Sequence, residues 1–469
     1  MSLSETHSKH LKENLAFLDS QSLIQPAVNE QIGFDFQGLR RSYKDHPTHP
    51  DAKFIARYGR VWIYDVALSI YADLKAGRLR QAGYQVGRVM QLALKEEEKG
   101  FRGLWHFSYN TLGDIFIDPR GPTGANAWCL NAIYSFILSS GNTTALEWAN
   151  RVVREYLFRQ QVMDPHDRRF GLIRAGLHNA EDVTRGPGMG YRVYEGPFNH
   201  PYEHIILEHN ADCAGTFRLA FKATRQHAPQ EKKFLEELME RHDILMNGMR
   251  RSFWKKDHFV SAMDADGELF TGTDGLPSIA VDNNTWAAHV FLSYDLGLVL
   301  DSIRYVKEHF LIDAPPAHVE DTPEGTSRAD LQGLYFFPAT FQDPFVQVSS
   351  EHREKMERLL HPEAAFGFIL LLKDVASAVT DPAEKARLTD FASELFDHTI
   401  ELQRLYGPSG APYASANVPM IFSTLQSVTT AATGVIATMI LQGALGSDFI
   451  GVVPPPEFLV NGQAPRISV

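Results

Sequence analysis

Cysteine is nearly absent. Cys129 and Cys213 are the only two in 469 residues, which excludes a disulfide framework, and they show no Cys-x-x-Cys spacing for zinc. A reducing, cytoplasmic setting is the expectation. Long apolar runs are missing too: a membrane span needs roughly 18 uninterrupted apolar residues. The most apolar tract, residues 431–445, is shorter, and its Ala, Gly and Thr content suits close helix packing. The opening MSLSETHSKHLKENLAFLDS has neither the basic start nor the apolar run of a secretory signal. Basic clusters are equally scarce. With 45 Lys and Arg against 57 Asp and Glu, the net charge is −12, so the footprint of a nucleic-acid surface is lacking. A neutral or cationic ligand suits this chain better than a polyanion. No strand–helix alternation appears, which argues against a doubly wound sheet. No internal repeat at solenoid periods appears either, which disfavours an open helical array.

What is present is ordinary globular composition, 44% hydrophobic and 22% charged, written in helical periodicity. Apolar residues recur at three- and four-residue spacing over 62–76, 125–139, 143–161, 205–225, 232–254, 286–295, 299–309, 364–379, 382–402 and 427–441. Gly77 and Gly141 supply helix ends, and Asp381-Pro382 supplies a helix start. Two more helices are expected in ambiguous segments. Long aromatic, Gly- and Pro-containing loops cover 114–123, 185–201, 264–282 and 334–349, and HFVSAMDADGELF reads as a short hairpin. The expectation is an all-α (α/α)6 toroid over residues 51–469, with long loops and a few short hairpins at one rim. Residues 1–50, polar and irregular, would form an N-terminal arm.

The polar residues inside apolar helix starts carry the functional signal. Asp65 sits in Trp62-Ile63-Tyr64-Asp65-Val66, where a carboxylate is costly to bury unless paired or catalytic; the plain structural alternative is a capping Asp. Glu208, His209, Asn210 and Asp212 form the densest polar cluster, with Glu208 and Asp212 on one helix face. Burial and a second acid would raise a carboxyl pKa there, as a general acid requires; alternatively, these acids complement the helix dipole. Asn126 with Trp128, and Asp282 with Trp286, lie at similar helix starts, and His106, Tyr109 and Asn110 are weaker candidates. His200-Pro201-Tyr202-Glu203-His204 matches a His-x-x-Glu-His zinc pattern, but Pro201 suits a first helical position and leaves His200 off the helical face. Asp264-Ala265-Asp266-Gly267-Glu268 lacks the remaining ligands of a calcium loop and reads as a turn. Residues 185–191 read as a lid over the pocket, and Cys213 as a buried structural thiol.

Five segments in order resemble a group of bacterial proteins in the six-hairpin glycosidase superfamily. They are WIYDVALSIYADLKAG, DPRGPTGANAWCLNAIYSFILSSGN, LEHNADCAGTFRLA, VDNNTWAAHVF, and YGPSGAPYAS with QSVTTAATGVI behind it. This chain departs from that pattern with Val66 in the opening helix. It also has HPEAAFG in place of a late Trp-Glu-Gly-Thr, which leaves Glu363 as the remnant. The resemblance implies a carbohydrate-active enzyme, foremost a glycoside hydrolase. Glu208 would protonate the leaving oxygen, while Asp65 activates water or attacks the anomeric carbon. Trp62, Tyr64, Asn126, Trp128, Tyr202, His209, Asn210, Asp212, Asp282 and Trp286 would hold a small-molecule or oligosaccharide substrate. No metal or organic cofactor is implied. The same fold also hosts epimerases, lyases and isomerases or dehydratases; here His204, His209, Tyr64 and Tyr202 would move the proton. A non-catalytic toroid binding a glycan or a protein is the third expectation.

Overall fold

The computed structural model describes residues 4–22, 27–29, 34–36, 39–44, 59–98, 104–111, 116–118, 120–178, 180–182, 191–193, 200–272, 275–312, 319–320, 331–335, 355–356, 358–407, 410–418, 422–443, 451 and 454–458. Helices dominate them. In chain order they are α1 (Glu5–Ser20), α2 (Ile63–Lys75), α3 (Leu79–Glu98), α4 (Thr123–Ser140) and α5 (Leu146–Val152, continued through a π segment Val153–Leu157 into Phe158–Gln160). Next come α6 (Leu207–His227), α7 (Lys232–Phe253), α8 (a π segment Asn283–Ala287 running into Ala288–Val290), α9 (Leu296–His309), α10 (Pro362–Ala378), α11 (Pro382–Leu405) and α12 (Val428–Leu441).

The even-numbered helices close a ring: α2 packs on α4, α4 on α6, α6 on α8, α8 on α10, α10 on α12, and α12 returns to α2. The odd-numbered helices form an outer layer, with α3 against α2 and α4, α7 against α6, α11 against α10 and α1 against α12. This is the expected (α/α)6 toroid. Composition explains the division. Inner helices are covered on both sides, so α12 (VTTAATGVIATMIL) is buried nearly throughout; the outer α7 buries one stripe and keeps its Lys, Arg and Glu out of the core. The stop and start signals act as read: Gly77 and Gly141 take positive φ, +72° each, and Asp381 Oδ1 caps α11 by accepting from the Ala383 amide at 3.0 Å.

Two helices lay outside the ten segments read as helical. Residues 5–20, expected to be irregular, are α1, which buries His10, Asn14, Phe17 and Leu18. The other is α3, an amphipathic helix that was not singled out from the sequence. Short antiparallel pairs connect the helices, including Val61–Trp62 with Ser108–Tyr109 and Gly121–Pro122 with Gly176–His178. The expected hairpin turn is present: Met263 bridges Leu269, and the Asp264 carboxylate accepts from the Asp266 and Glu268 amides at 2.9 Å each.

Three asparagines fasten these connections by one repeated device. Asn126 Oδ1 accepts from the Trp105 amide at 2.9 Å, while its Nδ2 donates to Trp105 O at 3.2 Å and Pro122 O at 2.9 Å. Asn210 does the same with Ile173 N (2.7 Å), Ile173 O (3.0 Å) and Ile206 O (2.8 Å). Asn284 does it with Phe259 N (2.8 Å), Phe259 O (3.0 Å) and Ala280 O (3.3 Å). Each clips a loop's backbone to the start of an inner helix.

Candidate active site

The six inner helices start around one cavity of about 490 Å³. Its wall takes Tyr64 and Asp65 from α2, Gly124, Ala125 and Trp128 from α4, and Glu208, His209 and Asp212 from α6. Asp282 comes from the entry to α8, His361 and Glu363 from that of α10, and Thr429 from α12. Tyr43, Trp62, Phe107, Tyr413 and Phe422 add aromatic surface. Gly124 is obligatory for this convergence. A Cβ there would lie 2.3 Å from His209 Cδ2 and 3.0 Å from Asp212 Oδ2, so only glycine lets α4 approach α6 so closely.

The carboxyls are held individually. Glu363 Oε1 accepts from the Tyr64 hydroxyl at 2.7 Å and the Thr429 hydroxyl at 2.9 Å. Asp212 Oδ1 accepts from Trp286 Nε1 at 2.8 Å, and the Trp286 ring stacks on Trp128 at 5.1 Å. Asp65, 5% exposed, is hydrogen-bonded by Ser42, whose Oγ also accepts from the Trp62 amide at 2.8 Å. The two arginines of the wall lie on its loop side: Arg120 chelates Asp118, with Nη2 at 2.6 Å, and Arg60 lies 4.3 Å over the Trp62 ring.

No protein-family model and no curated protein matches the chain. Solved structures do. D-mannose isomerase superposes with a TM-score of 0.58 at 12% identity, covering 95% of this chain and 100% of that one. Cellobiose 2-epimerase from Spirochaeta thermophila gives 0.54 at 12%, covering 94% and 96%. A metal-independent α-mannosidase from Streptococcus pneumoniae gives 0.55 at 12%, covering 94% and 95%. The chain has the six-hairpin glycosidase fold.

Within this six-hairpin toroid, burial governs the titration of the cavity. It pushes Asp65 up to about 8, against the Ser42 hydrogen bond and helped by the Glu363 charge. Burial, then Glu363, raises Glu208 to about 7. Asp212 and Asp282 are driven well above the carboxylate range, chiefly by burial and by the Glu208 charge. Burial also raises Glu363, but the Tyr64 and Thr429 hydroxyls oppose it. The imidazoles move the other way: burial lowers His209 to about 4 and His361 to about 3, so both are neutral. His361 Nδ1 accepts from the Ala364 amide at 3.2 Å, so its proton sits on Nε2.

Of the residues singled out from sequence, Trp62, Tyr64, Asp65, Trp128, Glu208, His209, Asp212 and Asp282 meet in the cavity wall. Asn126, Asn210, Tyr202 and Trp286 are placed elsewhere. The two asparagines spend their amides on loop backbone; Tyr202 lies in a short strand paired with Gly176, and Trp286 stands behind Asp212. His106 is buried against Glu96 at 3.1 Å. His200–Tyr202 is a strand and not a helix, and Glu203 is bound by Arg169 and Arg174, so the zinc pattern does not assemble. Among the described residues no group of three or more His, Cys, Asp or Glu is arranged to hold a metal ion, and no helix is long and apolar enough to cross a membrane. Residues 185–190 of the expected lid lie outside the described residues. Tyr43, Arg60, His361, Tyr413 and Thr429 escaped the sequence reading. Tyr413, His361 and Thr429 stood within quoted segments, but nothing in their spacing distinguished them from core.

Proposed function

We propose that this chain is a carbohydrate-active enzyme that hydrolyses a glycosidic bond, with Glu208 as the general acid. The observation that carries the reading is Glu208 itself, open to an aromatic-lined cavity and raised to about 7, where a carboxyl can hold a proton at neutral pH and still release it. The flat faces of Trp62, Tyr64, Trp128 and Tyr413 suit the apolar faces of a sugar ring, and the carboxyls suit its hydroxyls. A carboxylate ionised in this wall would also favour the oxocarbenium-like transition state of glycoside cleavage. The solved structures of the same fold include a mannosidase and a glycosidase in complex with glucose, which supports a sugar ligand here.

A second reading is proton transfer beside a sugar carbonyl, as in an epimerase or isomerase. The neutral His209 and His361 in the wall favour it. Against it stands their weak basicity, and the His361 Nδ1 lone pair is already taken by the Ala364 amide. A panel of 4-nitrophenyl glycosides tests the choice. Release of 4-nitrophenol by the wild type is the expected outcome, together with cleavage of alkyl glycosides, whose leaving group needs an acid, that is lost in Glu208→Gln. A free sugar interconverted with its C2 epimer or ketose, with no glycoside cleaved, would favour the second reading.

A further inference from the structure

We infer that Glu363, and not Asp65, is the ionised carboxylate that works opposite Glu208; the inference rests on the hydrolytic reading above. Glu363 stands in the first turn of α10, and its two hydrogen bonds arrive from both neighbouring inner helices: Tyr64 of α2 at 2.7 Å and Thr429 of α12 at 2.9 Å. Both hydroxyls donate to the same oxygen, Oε1. Two donors on one carboxyl oxygen favour the charged form, and they leave Oε2 as the atom presented to the cavity. Tyr64 is a dependable donor, because burial and the Glu363 charge hold its own hydroxyl protonated. Asp65 is arranged differently. It is recessed beside Ser42, with 5% of its surface exposed.

The direction of influence among the groups agrees. The Glu363 charge raises Asp65, Glu208 and Asp282. An ionised Glu363, held by its two hydroxyl donors, helps keep the proton on Glu208. In the reaction, Glu208 gives its proton to the glycosidic oxygen as the bond from that oxygen to the anomeric carbon breaks. A water oxygen bonds to the same carbon, and the proton it sheds passes to Glu363 Oε2. One water is consumed, and exchange with solvent restores both carboxyls.

The test uses 4-nitrophenyl glycosides, whose leaving group needs no acid. Glu363→Gln should lower kcat/KM by roughly 10²- to 10⁴-fold, and azide should partly restore Glu363→Ala with a glycosyl azide as product. Asp65→Asn should lose less than about tenfold, because general acid–base catalysis accounts for the larger factor. Circular dichroism of each variant separates a folding defect from a chemical one. Azide rescue of Asp65→Ala, with Glu363→Gln nearly as active as wild type, would overturn the inference while leaving hydrolysis intact. Wild type that cleaves no glycoside would instead overturn the hydrolytic reading. Independently of any substrate, NMR titration of the carboxyl carbons should show Glu363 ionising before Glu208 and Asp65; the reverse order also overturns the inference.

Discussion

Asp65 and Glu363 occupy the first turns of two helices in the same ring, yet their surroundings drive them apart. Helix dipoles favour both charged forms by about 0.3–1 kcal/mol, or up to ~2 when partly buried. The rise of Asp65 from 3.8 to about 8 opposes this with roughly 6 kcal/mol against ionisation, at about 1.4 kcal/mol per pKa unit. Burial wins at Asp65, while at Glu363 two hydroxyl donors restrain it. Consequences follow for pH. Glu208 must be protonated to act, so kcat/KM should fall as pH rises through about 7, and Glu208→Gln should abolish that limb along with most turnover of alkyl glycosides. Glu363 must be ionised, so activity should also fall in acid. Tyr64→Phe removes a donor from Glu363, raises its pKa and should shift the acid limb to higher pH; an unmoved limb would count against the pairing. Asp65 carries a stability prediction. The folded chain holds its proton while the unfolded chain gives it up near 3.8, so wild-type stability drains as pH rises from about 4 towards about 8. Asp65→Asn removes this loss, and its Tm advantage over wild type should widen from pH 4 to pH 8. A constant offset would contradict the buried, protonated Asp65.

Among the elements, the inner helix starts were legible and their polar residues only half so. Three- and four-residue periodicity marks the helices because each buries a face, and costly carboxyls at their starts pointed to the cavity. Asn126 and Asn210 look identical to such residues in sequence, since an amide facing a loop and one facing a ligand leave the same pattern. What separates them is a backbone partner 21 or 37 positions away, which local spacing does not encode. The same limit hid the third clip, Asn284, whose partner is 25 positions distant. Truncating a clip strands a buried amide and a buried carbonyl, each costing about 1–3 kcal/mol. Asn210→Ala and Asn284→Ala should each destabilise the fold by roughly 2–4 kcal/mol in denaturant titrations. Values near zero would mean the clips are incidental. Trp286 shows a further limit: the π segment of α8 carries it to Asp212, and no residue pattern announced that extra residue in the turn.

At the scale of the molecule, the outer layer is completed by a helix read from sequence as irregular. On α1, the residues Glu5, His7, Lys9, Lys12 and Glu13 dilute the apolar stripe, but Phe17 and Leu18 are buried, and Asn14 Nδ2 donates to Gln403 of α11 at 3.0 Å. Phe17→Ala should cost about 3–5 kcal/mol, as large aromatic truncations in a core do; a surface-like loss in thermal melts would remove α1 from the toroid. The remainder of the ring was legible because twelve helices in pairs with loops at one rim have few ways to bury both layers. The reaction was less legible, since this fold leaves its chemistry to the residues at that rim. The most direct test is mass spectrometry of products from a panel of disaccharides and aryl glycosides incubated with wild type and Glu208→Gln. The predicted result is wild-type cleavage to fragments whose masses sum to substrate plus one water, lost for disaccharides in the variant; a product of unchanged mass with an altered C2 or carbonyl position would contradict it.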